Sequence, residues 1–268
     1  MTATTRLDAE LVRRGLARSR GQARELIDAG LVDVAGRPAS KASAPVGEHH
    51  DLVVRDAGPA WVSRAAQKLV GALEVFGPRG LAVQGRRCLD VGASTGGFTQ
   101  VLLHHGAEHV IALDVGRDQL SPVVAADPRV TERSQTTVRG LTAEDIGGPV
   151  EVIVADLSFI SLTLVLDTFR TLLRDDGDAV VLVKPQFEVG RTRLGKGGVV
   201  RDQGDRAWAI TEVARAAVAT GLHPRDLAAS PIQGGEGNAE YLLWLTPRDA
   251  GSMGWEALVR AADEVTAP

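Results

Sequence analysis

The chain has 268 residues, of which 44% are hydrophobic and 24% are charged, so disorder along the whole chain is excluded and one or two globular domains are expected. The formal net charge of −4 indicates no general affinity for nucleic acid, and the single cysteine, Cys88, excludes an internal disulfide and a cysteine metal cluster. No apolar run approaches the roughly 18 residues that span a bilayer, and residues 1–5 lack a signal-peptide core. We therefore expect a cytoplasmic protein.

Residues 1–56 are predicted to form a small α+β domain, and a linker is expected at 57–62. Apolar residues at helical spacing predict a first helix over 6–14 and a second helix over 19–29, each followed by a glycine. Later apolar runs predict two short strands, at 31–34 and 51–54.

The two predicted helices carry a local excess of positive charge. Six arginines lie between residues 6 and 24, against two acidic residues, whereas the rest of the chain is acidic on balance. Such a stripe is typical of a binding face, and it is equally typical of a solvated helix surface. Charge alone leaves both interpretations open.

Residues 63–268 alternate between predicted strands and helices, which indicates a doubly wound, mostly parallel sheet. The turn at 234–237 is too short for a helical crossover, so the strands on either side of it should pair antiparallel and place one reversed strand in the sheet. The glycine-rich and basic stretch 185–201 is expected to be a long, mobile loop. The predicted strands are 87–91, 110–114, 130–133, 150–155, 179–183, 227–229 and 241–245. The predicted helices are 64–76, one ending at His105, one ending at Ala126, 142–146, 162–173 and 203–220.

The segment 89–98, Leu-Asp-Val-Gly-Ala-Ser-Thr-Gly-Gly-Phe, lies where the first of these strands passes into a helix. Glycines at such a turn let the backbone approach a ligand closely. Asp114 ends the next strand, and an acidic residue at that place can bind both hydroxyls of a ribose. The segment therefore indicates a site for a nucleoside-containing ligand.

Four interpretations of this segment compete. A dinucleotide site would need Gly-x-Gly-x-x-Gly, but the third position here is Ser94. A hydrolase elbow, Gly-x-Ser-x-Gly, matches 92–96, yet this strand is the first of its sheet and the late histidine His223 begins a strand. Asp90 ahead of the glycines, together with Asp114, favours S-adenosylmethionine. A tight turn without a ligand is the fourth interpretation.

Further motifs make the sequence more specific than a glycine loop. They are Arg6-Leu7-Asp8, Ser19-Arg20 with Ala23 and Leu26-Ile27, the block 89–98, the block 156–161, the block 183–188 and Asn238-Ala239-Glu240-Tyr241. With them the chain resembles, over nearly its whole length, the TlyA family, also named hemolysin A. In that family an S4-like RNA-binding domain is joined to an FtsJ-like ribosomal RNA 2′-O-methyltransferase domain. The resemblance implies an α/β fold: a Rossmann-like class I methyltransferase sheet, mostly parallel with one antiparallel strand, over 63–268, and a small α+β S4-like domain.

The resemblance implies a Lys–Asp–Lys–Glu catalytic tetrad, and the matching positions are Lys68, Asp156, Lys184 and Glu240. The family tends to have glycines just before the first lysine, whereas this chain has Ser-Arg-Ala-Ala-Gln at 63–67. Lys184 is expected to act as the base on a ribose 2′-hydroxyl, with Lys68 favouring its neutral form by repulsion. Asp156 and Glu240 would hold the lysines and the hydroxyl in line with the methyl group.

The implied cofactor is S-adenosyl-L-methionine, with no metal. The implied partner is ribosomal RNA of one or both subunits, methylated on cytidine, and we expect a monomer with no membrane partner. The residues expected to bind the cofactor are Asp90, Gly92, Ser94, Gly96, Gly97, Phe98, Asp114 and Asp156. The residues expected to contact RNA are Arg6, Arg14, Arg18, Arg20, Arg24, Lys41, Arg64, Arg191, Arg193 and Lys196.

Two other functions stay open beside the methyltransferase. One is an RNA-binding protein whose methyltransferase domain is inactive, against which the complete tetrad is an argument. The other is membrane lysis, as the name hemolysin suggests. Lysis is disfavoured because the sequence has no spanning segment and no long amphipathic cationic helix.

Overall fold

The computed structural model of the protein divides into two compact units, Met1–Ala60 and Trp61–Pro268, and the boundary between them falls within the predicted linker. The structure describes residues 4–28, 30–54, 60–195, 197–234 and 237–267. Each unit is described by itself below.

The first unit consists of two short helices and small antiparallel strand pairs. Its elements are β1 (Thr4–Arg6), α1 (Leu7–Arg13), α2 (Arg20–Asp28), β2 (Val32–Val34), β3 (Arg37–Pro38), β4 (Pro45–Gly47) and β5 (Leu52–Val54). Leu7, Leu11 and Ala23 from the helices pack with Val32 and Leu52 from the strands in one core. Strands β1 and β4 were not predicted, because Thr4–Arg6 is polar and exposed and Pro45–Gly47 has proline and glycine at its ends.

The second unit contains the predicted sheet and its covering helices. Its first elements are α3 (Ala66–Phe76), β6 (Arg87–Val91), α4 (Gly97–His104), β7 (His109–Leu113), α5 (Pro122–Ala125), β8 (Val130–Arg133) and β9 (Val150–Ala155). They are followed by α6 (Leu166–Leu172), β10 (Leu173–Val183), α7 (Pro185–Glu188), α8 (Gln203–Ala219), β11 (His223–Ala229), β12 (Tyr241–Thr246) and α9 (Trp255–Thr266).

In the described part of the chain, seven strands form one sheet in the order β11-β12-β10-β9-β6-β7-β8. Strands β10, β9, β6, β7 and β8 run parallel, and β12 is antiparallel to both of its neighbours. The predicted fold class, including the reversed strand, is confirmed. The order also places β6, which carries the glycine segment, inside the sheet between β9 and β7.

Strands in the interior of the sheet are buried on both faces, which is why β7, β9 and β12, for example, have nearly continuous apolar sequences. Successive residues alternate between two cores: Leu89 and Leu243 belong to one, and Cys88 and Leu242 belong to the other. Helices α3 and α4 cover the face with Cys88, and α6, α8 and α9 cover the opposite face. Burial raises the pKa of the Cys88 thiol to about 12, in keeping with a structural residue.

Several predicted boundaries were wrong, and in each case local sequence was a weak guide. The stretch 185–201 is not one continuous loop, because α7 and a 3-10 turn at Arg191–Arg193 lie within it. Strand β10 begins six residues before its predicted start, at Leu173, and its register with β9 shifts between Leu173 and Asp178. The polar run 174–178 concealed that extension. Helix α9 follows the last strand and was not predicted.

No helix among the described residues is long and apolar enough to cross a bilayer. The same residues contain no group of three or more histidine, cysteine, aspartate or glutamate side chains placed to hold a metal ion.

Candidate active site

The glycine segment between β6 and α4 has the close-approach geometry that its sequence predicts. Gly92 has φ +83° and Gly96 has φ +92°, a region that favours glycine, and Ser94 also has a positive φ of +47°. A Cβ atom on Gly92 would lie 2.8 Å from the carbonyl oxygen of Asp156, at the end of β9. The loop therefore lies against the neighbouring strand end at a distance that only glycine permits.

A cavity of about 510 Å³, which we call the cofactor cavity, opens beside this loop. The volume is within the range of small-molecule sites. It is lined by Gly92, Ser94, Asp114 and Asp156 on the polar side, and apolar side chains such as Val115 complete its wall. The mixture suits a ligand that combines a flat apolar ring with polar and charged groups.

Asp114 also holds the glycine segment in shape. Its Oδ2 accepts the backbone N–H of Ser94 at 2.8 Å, and its Oδ1 accepts the N–H of Gly116 at 2.7 Å. A carboxylate oxygen can accept more than one hydrogen bond, so both oxygens keep capacity for ligand hydroxyls.

The predicted cofactor residues do not all reach a cavity. Gly97 and Phe98 line a second, polar cavity of about 300 Å³ that adjoins the first through Gly92 and Ser94. Gly96 lines neither of these two cavities, and a Cβ atom there would lie 2.8 Å from Leu120. Asp90 is fully buried beneath the loop, where its Oδ2 accepts the hydroxyl of Thr99 at 2.7 Å. These placements indicate that Asp90 and Gly96 shape the loop.

The structure brings the four predicted tetrad residues together in the polar cavity. Asp156 lies between the two lysines: its Oδ1 is 2.6 Å from Nζ of Lys184, and its Oδ2 is 3.1 Å from Nζ of Lys68. Oε2 of Glu240 is 2.7 Å from Nζ of Lys68. The side chains thus form a continuous chain in the order Lys184, Asp156, Lys68, Glu240, and none is more than 12% exposed.

The fold explains how distant residues meet there. Asp156 and Lys184 directly follow β9 and β10 at the carboxyl edge of the parallel strands. Glu240 directly precedes β12, and because that strand is reversed its start lies at the same edge, next to the end of β10. Lys68 reaches the group from α3, which covers one face of the sheet.

A third cavity, of about 430 Å³, adjoins the tetrad and shares Lys184 and Glu240 with the polar cavity. Two aromatic rings, Phe159 and Phe187, line it with their centroids 5.3 Å apart. Phe159 is 92% exposed and has a positive φ of +64°, so a large apolar side chain stands at the surface beside the site. We call this space the acceptor cavity.

Sequence analysis missed two side chains that hold this region together. Glu188, at the end of α7, accepts the hydroxyl of Ser161 at 2.5 Å and the N–H of Leu162 at 2.9 Å. Burial raises the pKa of this carboxyl. Ser158 accepts a hydrogen bond from Nζ of Lys184 at 2.9 Å. Both residues stand in the motif blocks, but nothing in their spacing distinguishes them from their neighbours.

Comparisons with known proteins identify the family of this chain. The family description "FtsJ-like methyltransferase" matches residues 61–246, and the S4 domain matches residues 5–53. The 16S/23S rRNA (cytidine-2′-O)-methyltransferase TlyA of Mycobacterium tuberculosis is 54% identical to this chain over 98% of each sequence. The chain belongs to the TlyA family. The resemblance that the motifs indicated is confirmed.

Two further members of this group show how far the similarity extends. The 23S rRNA (cytidine-2′-O)-methyltransferase TlyA of Campylobacter jejuni is 36% identical over 69% of this chain and 70% of its own length. A solved structure from Streptococcus thermophilus that carries the name hemolysin is 36% identical, covers 98% of both chains and superposes with a TM-score of 0.69. The relatives' names thus divide between RNA methylation and hemolysis.

In the S4 domain of this TlyA-family chain, most of the predicted RNA-contacting arginines surround two buried carboxylates. Asp8 is fully buried and pairs with Arg6 at 3.1 Å, Arg20 at 2.9 Å and Arg24 at 3.5 Å. These contacts, above all the hydrogen bonds from Arg6, hold the pKa of Asp8 far below its usual range. The three guanidinium groups are each about half exposed, so they form one basic cluster at the surface.

Arg14 differs from the rest of the predicted set. Its guanidinium donates to Glu10 and to the backbone carbonyls of Gly47, Glu48 and His50. Internal acceptors therefore engage all three of its nitrogens, and we interpret Arg14 as a structural residue. Hydrogen bonds from Arg13 and Arg14 lower the pKa of Glu10 to about 2.

The remaining predicted RNA contacts are spread over both units. Arg18, Lys41 and Arg64 are exposed. Arg193 lies over the ring of Trp208 at 4.3 Å and pairs with Asp205 at 3.3 Å. Arg191 belongs to a 3-10 turn. Lys196 lies outside the described residues.

Proposed function

We propose that this protein transfers a methyl group from S-adenosylmethionine to the 2′-hydroxyl of a cytidine ribose in ribosomal RNA, in the cytoplasm. The observation that carries the proposal is the chain of four tetrad side chains between the cofactor cavity and the acceptor cavity. It supplies a base, its charge partners and two adjoining spaces, one for each reactant. The M. tuberculosis relative is named for both 16S and 23S rRNA, which supports both subunits as substrates.

The residues of the cofactor cavity fit S-adenosylmethionine. Gly92 admits close approach, Asp114 offers acceptors for ribose hydroxyls, and Val115, which is 72% exposed, offers an apolar contact for an adenine ring. When bound, the cofactor supplies an electrophilic methyl group on a positively charged sulfur. Asp156 lines both the cofactor cavity and the polar cavity, so it adjoins the point at which that methyl group would meet an acceptor.

Lys184 acts as the base in this proposal. A neutral amine takes the proton of the 2′-hydroxyl while the oxygen forms its bond to the methyl carbon and the carbon–sulfur bond breaks. The ammonium group that results lies 2.6 Å from Asp156, which stabilises the charge as it develops. Lys68 contacts the other oxygen of Asp156, so after transfer the carboxylate stands between the Lys68 and Lys184 ammonium groups and reduces their mutual repulsion.

RNA capture is assigned to the S4 domain. Its basic cluster of Arg6, Arg20 and Arg24, with the exposed Arg18 and Lys41 nearby in sequence, supplies donors for phosphate oxygens. Contacts of this kind position an RNA without reading its sequence. We keep Arg64, Arg191, Arg193 and Lys196 as further proposed RNA contacts.

The test is transfer of labelled methyl from S-adenosylmethionine to unmodified ribosomal subunits by the wild type and by Lys184→Ala. We expect transfer by the wild type and a rate at least about 100-fold lower for the variant, because general-base catalysis contributes on that order. Cofactor affinity should be similar in both proteins. A wild type that methylates neither subunit would contradict the proposed function, whereas full activity of the variant would contradict only the assignment of the base.

A further inference from the structure

Lys184 has a hydrogen-bond acceptor outside the tetrad, in addition to its ion-pair partner Asp156. Its Nζ lies 2.6 Å from Oδ1 of Asp156 and donates to Oγ of Ser158 at 2.9 Å. The ring of Phe187 lies on another side, 5.8 Å from Nζ, and offers no strong acceptor. The nitrogen of a buried lysine is therefore held by two oxygens from the short segment that follows β9.

The number of oxygens that contact the lysine nitrogen determines how well the lone pair of a neutral Lys184 is oriented. A neutral primary amine has two N–H bonds and one lone pair, in a tetrahedral arrangement. If the ion-pair contact with Asp156 directs one N–H bond and Ser158 accepts the other, the lone pair can take a single direction. With one acceptor alone, rotation about the terminal C–N bond would leave the lone pair free to point elsewhere, and fewer molecules would be ready to react.

Ser158 lies where it can direct the lone pair of Lys184 toward a bound acceptor. It lines the cofactor cavity, the polar cavity and the acceptor cavity, so it marks the junction of the three. Its segment is also anchored to the segment of Lys184, because Glu188 accepts hydrogen bonds from Ser161 and Leu162. These hydrogen bonds join the segment that carries Ser158 to the segment that carries Lys184.

We propose that Ser158 is a positioning residue, which together with Asp156 aims the lone pair of Lys184 at the ribose 2′-hydroxyl. The inference rests on the proposed function and deepens it. During transfer, the proton of the 2′-hydroxyl passes to Nζ of Lys184, the oxygen–methyl bond forms and the carbon–sulfur bond breaks. The serine hydroxyl neither gains nor loses a proton.

The experiment measures single-turnover methyl transfer to unmodified ribosomal subunits by wild type, Ser158→Ala and Ser158→Thr. Ser252→Ala is the matched control, because its hydroxyl donates to Asp249 and lies outside the three cavities. We expect Ser158→Ala to slow transfer about 10- to 100-fold, the scale of a misplaced reacting group. Affinities for S-adenosylmethionine and for the subunits should stay within about twofold, and threonine should restore most of the rate because it keeps the hydroxyl.

Three outcomes would overturn the inference. They are a Ser158→Ala rate within about twofold of wild type, a loss of rate matched by an equal loss of cofactor affinity, and a threonine variant as slow as the alanine variant. Thermal unfolding of each variant separates a lost hydroxyl from a misfolded site. If the wild type itself transfers no methyl group, the proposed function fails. If the wild type is active and Ser158→Ala is equally active, only the inference about Ser158 fails.

Discussion

Gly92 combines a positive φ of +83° with a close contact to the carbonyl oxygen of Asp156. An alanine there would incur both backbone strain and a Cβ contact of 2.8 Å with an atom that cannot move freely. We predict that Gly92→Ala lowers the affinity for S-adenosylmethionine more than about 10-fold, because the loop must shift away from the strand end that shapes the cavity. Isothermal titration with the cofactor measures this.

Gly85 is the matched control for that substitution. Its φ is +70°, yet nothing lies within 4 Å of a Cβ atom placed on it. Gly85→Ala should therefore cost only the backbone strain, about 1–2 kcal/mol of unfolding free energy, with unchanged cofactor affinity. Equal cofactor affinities in the two variants would show that the contact with Asp156 has no role in the site.

Asp90 gives a pH dependence of stability. Burial raises the pKa of this carboxyl to about 7. The folded state then binds the proton more tightly than the unfolded state, so the free energy of unfolding should fall as the pH rises from about 4 to about 7. We predict that Asp90→Asn, which has no proton to lose, flattens that part of the profile in urea denaturation. An unchanged slope would assign the effect to other groups.

For single residues, the sequence predicted the position of the candidate site better than the role of each side chain in it. Glycines and acidic residues at strand ends predicted Gly92, Asp114 and Asp156, since the carboxyl edge of a parallel sheet is where ligands bind. The sequence could not show that Asp90 points under the loop. A shift of one residue in the predicted strand would turn its side chain to the opposite face of the sheet, and the sequence does not fix the strand end that closely. Ser158 was also missed, since its importance depends on a lysine 26 positions away.

Strand identity was predictable where a strand is buried on both faces. The predicted strands 87–91 and 150–155 match β6 and β9 in full, because short apolar runs rich in Val, Leu and Ile are typical of parallel strands covered on both sides. The prediction 130–133 also matches β8, although that edge strand is polar and partly exposed. Prediction failed where tertiary contacts, and not the local sequence, determine the secondary structure. Helix α7 has four residues and begins at a proline, so it is too short to show a helical period, although the hydrogen bonds of Glu188 to the neighbouring loop help to keep it in place.

The reversed strand is the element on which the tetrad depends. Its antiparallel pairing with β10 places Tyr241 opposite Val183, so Glu240 and Lys184 stand side by side at the ends of neighbouring strands. A parallel strand in that position would start at the opposite edge of the sheet. The short turn in the sequence predicted this reversal, and the reversal in turn accounts for a carboxylate from the end of the chain within reach of Lys68.

At the scale of the whole molecule, the basic cluster of the S4 domain and the tetrad lie in different units. The net charge of −4 conceals a cluster in which three arginines surround the buried Asp8. The cluster has a formal charge of +2, because three guanidinium groups share one carboxylate. If the cluster binds RNA as proposed, we expect fixed donor positions to contribute as much as charge, since an arginine side chain loses considerable rotamer entropy when it is immobilised.

The Asp8→Asn substitution distinguishes two contributions to RNA affinity, the fixed positions of the arginines and the net charge of the cluster. The substitution removes a negative charge from the basic face, so attraction to phosphate alone predicts tighter RNA binding. We predict instead that affinity for unmodified ribosomal subunits falls about 3- to 30-fold, because three arginines lose their common anchor and must be ordered by the RNA itself. Filter binding at several salt concentrations measures both the affinity and its salt dependence.

Glu25→Gln is the matched control, because Glu25 is an exposed residue of α2 and its loss changes the net charge by the same amount. Its affinity for the subunits should equal or slightly exceed that of wild type. Methyl transfer at saturating RNA and cofactor affinity should be unchanged in both variants, since neither residue lies in the unit that holds the tetrad. Tighter binding by Asp8→Asn, in a protein whose thermal unfolding matches that of wild type, would mean that Asp8 only dilutes the positive charge of the face and does not organise it.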